Sequence, residues 1–308
     1  MRTLRDSLVD YLTMRRALGY KLRRHQKLLA QFVDYLDGIE AARVTLENAL
    51  AWARLPTNGS VRWWASRLSI ARGFATYLHT IDPAHQVPPA DVLPYRSHRT
   101  TPYMYTDQDI TALITAADTL RFPLRAATYK TLIGLLAVTG MRVGEAISLN
   151  CDDLDLGQNV LTVRTGKFGK SRELPLHITT MQSLRTYLHC RGHLRPTPNT
   201  PALFVSAAGT RLLYCNVNWT FLKLVDLAGL RSGSASRRPR LHDLRHSFAL
   251  HTLLDWYNAG VDVQSRLPLL STYLGHVNPG ATYWYLSAAP ELMILASNRL
   301  EKAPGGQS

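Results

Sequence analysis

The 308-residue chain is 46% hydrophobic, enough for a sizeable core, and sets 36 Lys and Arg against 22 Asp and Glu, a net charge of +14. Its three cysteines, Cys151, Cys190 and Cys215, are odd in number and far apart. That argues against a disulfide framework and fits a reducing cytoplasm, with nucleoid association if the source is bacterial. No apolar run reaches the ~18 residues of a membrane span, and the opening MRTLRDSLVDY lacks the apolar stretch of a secretory leader, so no membrane partner is expected.

The first ~80 residues read as four short amphipathic helices. Leu4, Leu8, Leu12 and Leu18 recur at near-helical spacing, and Gly19 ends that segment. Leu28, Phe32, Tyr35 and Leu36 mark a second helix that stops before Gly38, and Thr45 caps a third that Pro56 closes. The fourth follows Asn58-Gly59-Ser60, with Val61, Trp64, Leu68, Ala75 and Leu78 on one side. The basic run KLRRHQK opens the second helix and makes Lys21, Arg23, Arg24 and Lys27 candidate phosphate contacts. From Pro83 to Thr106 the chain turns proline-rich and loses its periodicity, the signature of a linker. The expected division is a helical domain over 1–87, a linker over 88–104 and a second domain over 105–308.

The second half is mixed. Thr106 with Asp109 resembles a capping box that starts a helix, and the very apolar ATYKTLIGLLAVTGM follows. VLTVRT and RELPL read as strands joined through GKFGKS, and ALFVS as another short strand. Helices resume at about 178–191, 215–228, 242–258 and 263–275.

The charge excess is not a tail. Residues 1–100 hold 15 basic and 8 acidic side chains, and residues 101–308 hold 21 and 14, so each part carries +7. An even basic balance points to a long polyanion touching both parts.

Four stretches of the second half carry chemical interest. In TGMRVGEAISL, Arg142 and Glu145 share a helix face, so Glu145 can orient a guanidinium fork towards a phosphate. In TGKFGKSRELPL, Lys167, Lys170 and Arg172 lie on a basic hairpin that can enter a DNA groove. In LHDLRHSFALH, His242 and Arg245 pair a proton shuttle with a phosphate clamp. His242 and His246 also have the spacing of a zinc helix, but Asp243 stands where a metalloprotease needs Glu, and no third ligand is evident at a matching spacing. In LLSTYLGHVNPGATYWYLS, His276 follows a helix-ending Gly275, and a short helix then carries Tyr283 and Tyr285. Each stretch alone is equally an ordinary ion pair, a solvated turn or packing.

In chain order these residues resemble the tyrosine recombinases, the phage-integrase family. The family's TG-x-R-x-x-E is matched by Arg142 and Glu145, its hairpin lysine by Lys167, with Lys170 as a rival, its H-x-L-R-H by His242 to His246, and its LGH by Leu274 to His276. The family's nucleophile lies nine positions after that histidine, which selects Tyr285 over Tyr283.

The resemblance implies a mostly α fold with a small β-sheet: an N-terminal four-helix core-binding (SAM-like) bundle plus an α+β catalytic domain. Bundle and catalytic domain would form a C-shaped clamp on double-stranded DNA. It further implies a metal-independent site-specific recombinase or integrase that forms a 3′-phosphotyrosyl intermediate and needs no cofactor, and a homo-oligomer, a tetramer on DNA, linked through the tail 286–300. Accessory DNA-binding proteins or a partner recombinase are further possible partners. A relaxing enzyme of the type IB topoisomerase kind, or a DNA-binding relative without activity, are the alternatives.

Overall fold

Thr3 opens the first helix in a computed structural model of the chain, which describes residues 3–93, 102–164, 171–195, 199–230, 238–276, 278 and 280–288. Its hydroxyl accepts from the Asp6 amide while the Asp6 carboxylate accepts from the Thr3 amide, so two orphan donors of the helix end are satisfied together. Helix α1 (Leu4–Ala17) is followed by α2 (Arg23–Gly38), α3 (Leu46–Arg54) and α4 (Val61–Ile81). Thr45 with Asn48 caps α3 in the same way, and Ser60 caps α4. The apolar stripes meet in one core, where Leu29, Phe32, Leu36, Trp52 and Phe74 are fully buried. Each such side chain is worth roughly 1.5–3 kcal/mol of hydrophobic stabilisation. Two expectations shift. Helix α2 runs through Gly38, and α1 ends before Leu18, which falls off the apolar stripe and is exposed.

The contacts divide the chain into two units, Met1–Arg99 and Thr100–Ser308. The second unit begins with α5 (Asp107–Asp118), opened by the Thr106–Asp109 capping box, and α6 (Pro123–Thr139), which starts on a proline and buries Leu124, Leu132, Ile133, Leu135 and Leu136 in the core. A short α7 (Val143–Ser148) and a single 3-10 turn (Cys151–Asp153) lead into an antiparallel sheet of β1 (Leu154–Asp155), β2 (Val160–Val163) and β3 (Arg172–Pro175), in that order. Leu161 pairs with Leu174, and Val163 with Arg172. Then come α8 (Ile178–Leu194), α9 (Tyr214–Leu227), α10 (Asp243–Asn258), α11 (Val263–Leu274) and α12 (Gly280–Ala288).

ALFVS does not form the expected strand. It makes only single bridges, Asn150 to Ala202 and Val205 to Arg211. Side chains and distant backbone share its polar groups: the Tyr187 hydroxyl donates to the Leu203 carbonyl and accepts from the Val205 amide, and the Leu203 amide donates to the Leu149 carbonyl. A satisfied backbone needs no ladder partner.

One core lies under α5 to α9 and the sheet. A second, smaller core joins α10, α11 and α12 and includes Tyr285. Among the described residues no helix is long and apolar enough to cross a membrane. Lys167 and Lys170, and the tail beyond residue 288, lie outside the described residues.

Candidate active site

Two helix ends build the site. Helix α6 stops at Gly140 and α11 stops at Gly275, both with left-handed backbone (φ 57° and 67°). Neither position has room for a side chain. A Cβ on Gly140 would sit 2.5 Å from Phe248 Cδ1, and one on Gly275 would sit 2.7 Å from Arg172 Nη1. Glycine is therefore required twice over, by φ and by space.

The carbonyls at these two ends hold the two arginines crosswise. Arg245, on α10, donates through Nη1 to the Gly140 carbonyl (2.8 Å) and through Nη2 to the Leu274 carbonyl (2.7 Å). Arg142, just after α6, donates through Nη2 to the Gly275 carbonyl (2.9 Å). Orphan carbonyls at a helix C-terminus carry partial negative charge and suit a guanidinium. The end of α11 thus holds both arginines, and the end of α6 holds Arg245 as well.

Glu145 supplies the second hold on Arg142. It accepts from Arg142 Nη1 at 2.7 Å and from the Arg142 amide at 3.0 Å, capping α7. Arg172 grips the same carboxylate through Nη1 and Nη2 (3.2 and 2.8 Å), and its Nε donates to the Tyr273 carbonyl (2.8 Å). Burial alone would favour the neutral acid. The guanidiniums of Arg172 and Arg142 outweigh it and hold the Glu145 carboxyl below its ordinary range. Arg172 was expected to reach DNA from the hairpin. Instead it is largely buried, with its guanidinium committed to Glu145 and the end of α11.

Three histidines stand beside the arginines. His242 stands just before α10 and reaches solvent. Crowding by protein atoms and the charge of Arg245 lower its pKa, which keeps it neutral and able to accept a proton near pH 7. His276, directly after Gly275, bonds the Thr282 hydroxyl through Nδ1 (2.7 Å). Burial and then Arg245 push its pKa down to about 4. His246 bonds the Tyr285 hydroxyl through Nδ1 (2.9 Å), and burial and then His242 push its pKa to about 3. Arg245 is 3% exposed, and burial and then Arg142 lower its pKa to about 10, so it stays charged at neutral pH.

Helix geometry separates the two tyrosines. Two residues on a helix lie about 200° apart. Tyr285 faces inward at 2% exposure and Tyr283 faces outward at 50%. The Tyr285 ring stacks towards His276, with centroids 6.3 Å apart.

The structure thus brings Arg142, Glu145, His242, Arg245, His246, His276 and Tyr285 into one place. Lys21, Arg23, Arg24 and Lys27 are exposed around the start of α2 in the other unit, with Arg24 4.8 Å from the Trp63 ring. Four supporting features escaped the sequence: the grip of Arg172 on Glu145, the bond from Thr282 to His276, the crossed carbonyls, and the buried Asp243 held by Arg240. Arg172 had a signal, since period two puts it on the same strand face as the buried Leu174. Among the described residues, no group of three or more His, Cys, Asp or Glu is placed to hold a metal ion.

Such a cluster can clamp a tetrahedral anion between two guanidiniums beside a phenol and a neutral imidazole, which is the equipment for phosphoryl transfer to tyrosine. Residues 104–291 match the model of the phage integrase family. A Sinorhizobium fredii protein, provisionally named integrase/recombinase y4rB, is 44% identical over 308 residues, covering 98% of both chains. The tyrosine recombinase XerC of Alcanivorax borkumensis is 31% identical over 71% of this chain and 66% of its own length. Among solved structures, the Tn1549 transposon integrase in complex with circular intermediate DNA superposes with a TM-score of 0.67 at 17% identity, covering 97% of this chain and 99% of that one. The XerH recombinase bound to its palindromic difH substrate gives 0.64 at 21% identity, covering 90% and 79%. The chain belongs to the phage integrase family, the tyrosine recombinases. It is an enzyme of site-specific DNA strand transfer.

Proposed function

We propose that this protein cuts and rejoins double-stranded DNA at a specific site through a covalent 3′-phosphotyrosyl link to Tyr285, without a metal or other cofactor. The observation that carries the reading is the crossed pair of guanidiniums, each fixed by a helix-end carbonyl, next to the buried Tyr285. Arg142 and Arg245 neutralise the phosphodiester and stabilise the charge of the pentacoordinate transition state. Tyr285 Oη forms the bond to phosphorus as the bond to the 5′ oxygen breaks. A phenol with a pKa of ~10 must give up its proton as it attacks, and the neutral His242 accepts it. His276 donates to a non-bridging oxygen. Lys167 protonates the leaving 5′ oxygen, with Lys170 the alternative donor. A 5′ hydroxyl from another duplex then attacks the phosphotyrosine, and the bond energy is conserved.

The N-terminal unit adds phosphate contacts through Lys21, Arg23, Arg24 and Lys27. Cations at a helix N-terminus add to the dipole there rather than offset it, an arrangement that suits an anionic partner. Arg172 is withdrawn from this set. The protein acts as a tetramer on DNA, linked through the tail 286–300, with a partner recombinase or accessory DNA-binding proteins at some sites.

Strand exchange tests the reading. Two differently labelled duplexes carrying DNA from the flanks of the gene are mixed with the protein in EDTA. Recombinant products support site-specific recombination. Relaxation of a supercoiled plasmid without exchange would indicate a topoisomerase-like enzyme, and binding without cleavage an inactive relative.

A further inference from the structure

His246 is left without a part in the chemistry proposed above, yet its Nδ1 lies 2.9 Å from the Tyr285 hydroxyl. We infer that His246 is a positioning residue that docks the nucleophile between turnovers: its Nδ1 accepts the Tyr285 O–H and keeps the ring inside the pocket of α10, α11 and α12 until DNA is bound. The inference rests on the reading of Tyr285 as the nucleophile.

The pocket is built around this bond. The His246 ring meets Tyr285 edge-on (centroids 5.5 Å, 61°), with Trp284 at 5.6 Å and His242, one turn earlier on the same helix, at 4.8 Å and 85°. A second tether, Thr282 to His276 at 2.7 Å, holds the same turn of α12. Burial, and then the neighbouring His242, keep His246 unprotonated at neutral pH, and in the tautomer that carries its proton on Nε2 the Nδ1 lone pair accepts from the phenol. An imidazole whose burial opposes its protonation is a poor acceptor for the phenol's proton. The bond therefore holds Tyr285 without activating it, and the proton leaves by another route when attack begins.

Attack requires the tyrosine oxygen to come within about 3–3.5 Å of phosphorus. A phosphodiester cannot approach a side chain that presents 2% of its surface. The docked hydroxyl must exchange His246 for the phosphate. Docking of this kind restrains the nucleophile from reacting at sites that have not displaced it.

Tyrosine nitration of the full-length protein without DNA, mapped by mass spectrometry, reads the docked state directly. Exposed Tyr283 is the internal reference. Tyr285 should nitrate far more slowly than Tyr283 in the native protein. It should speed up several-fold in His246→Phe, which keeps an aromatic ring but removes the acceptor. It should slow again in His246→Asn, whose Oδ1 stands where Nδ1 stood. Equal Tyr285 rates in the native protein and a folded His246→Phe would overturn the inference. A second measurement does not depend on that variant folding. In protein labelled with 15N-histidine, Tyr285→Phe should shift the His246 Nδ1 resonance, with His189 and His193 unmoved, and an unchanged resonance would also overturn it. Both readouts are taken off DNA, so they remain decisive whether or not Tyr285 proves to be the residue that joins DNA.

Discussion

Arg142 and Arg245 have distinct settings, and that sets what their substitution costs. Arg142 is held by one carboxylate and one carbonyl and is part-exposed, while Arg245 is held by two carbonyls and is nearly buried. Lysine carries the charge but not the fork. Arg142→Lys should slow formation of the protein–DNA adduct by about 10²–10³-fold, the usual cost of one lost donor to transition-state charge, with DNA affinity little changed. Arg245→Lys should do the same and also lower the melting temperature, because a carbonyl at the end of α6 or α11 loses its partner. Single-turnover cleavage of a nicked duplex, beside thermal unfolding, separates the two. Arg172→Ala should also slow cleavage, through the loosened Glu145, without weakening DNA binding. A loss of binding in that variant would return Arg172 to the DNA-contact set.

The histidines give a pH dependence with a definite sign. His246 and His276 titrate near 3 and 4 when folded, below the ordinary ~6.5 of an unfolded histidine. The unfolded state binds protons first, so stability is full above about pH 6.5 and falls as pH drops towards 4. At pH 5 both histidines contribute to the loss, and His276, which is nearer to solvent, contributes less. Denaturant unfolding between pH 7 and pH 4.5 should show this decline, and a flat profile would mean that both rings protonate freely in the folded protein.

At the level of elements, the glycine stops matter as much as the charged residues they precede. The end of α6 presents Gly140 O to Arg245, and the end of α11 presents Gly275 O to Arg142. Gly275→Ala forces a Cβ into left-handed backbone and against the Arg172 guanidinium. It should cost about 1–3 kcal/mol and reduce cleavage together with stability. Retained cleavage with lowered stability would show that Arg142 needs only Glu145.

Much of this scale was legible in the sequence. Thr106 with Asp109, the apolar run of α6 and the two strands of the hairpin announced themselves through capping chemistry and period. The candidate site was legible as an order of residues, and the 200° separation of Tyr283 and Tyr285 on a helix explains why only one can face inward. What the sequence withheld was long-range. A backbone carbonyl of Gly275 bonded 133 positions away to Arg142 has no one-dimensional signature. Neither has a strand arginine that turns from the groove to a carboxylate, nor a segment such as ALFVS whose backbone is shared between the Tyr187 hydroxyl and the Leu149 carbonyl.

For the whole molecule the informative quantity is charge. Each of the two parts, residues 1–100 and 101–308, carries +7. A protein that uses both on duplex DNA releases many counterions. Its affinity should fall by about 10³–10⁵ between 50 and 200 mM salt if it makes 6–10 phosphate contacts. Replacing Lys21, Arg23, Arg24 and Lys27 by alanine in the full chain should reduce the slope of log affinity against log salt by about 0.9 for each contact removed. An unchanged slope would place the basic run on a surface that DNA does not meet.

The most direct test is covalent trapping. Purified protein is mixed with nicked duplexes tiled across the DNA flanking its gene, in EDTA, and denaturant-resistant adducts are mapped by mass spectrometry. The expected result is an adduct on Tyr285 that is lost in Tyr285→Phe and kept in Tyr283→Phe. An adduct on Tyr283, or one that survives Tyr285→Phe, would contradict the assignment of Tyr285 as the residue that carries the DNA.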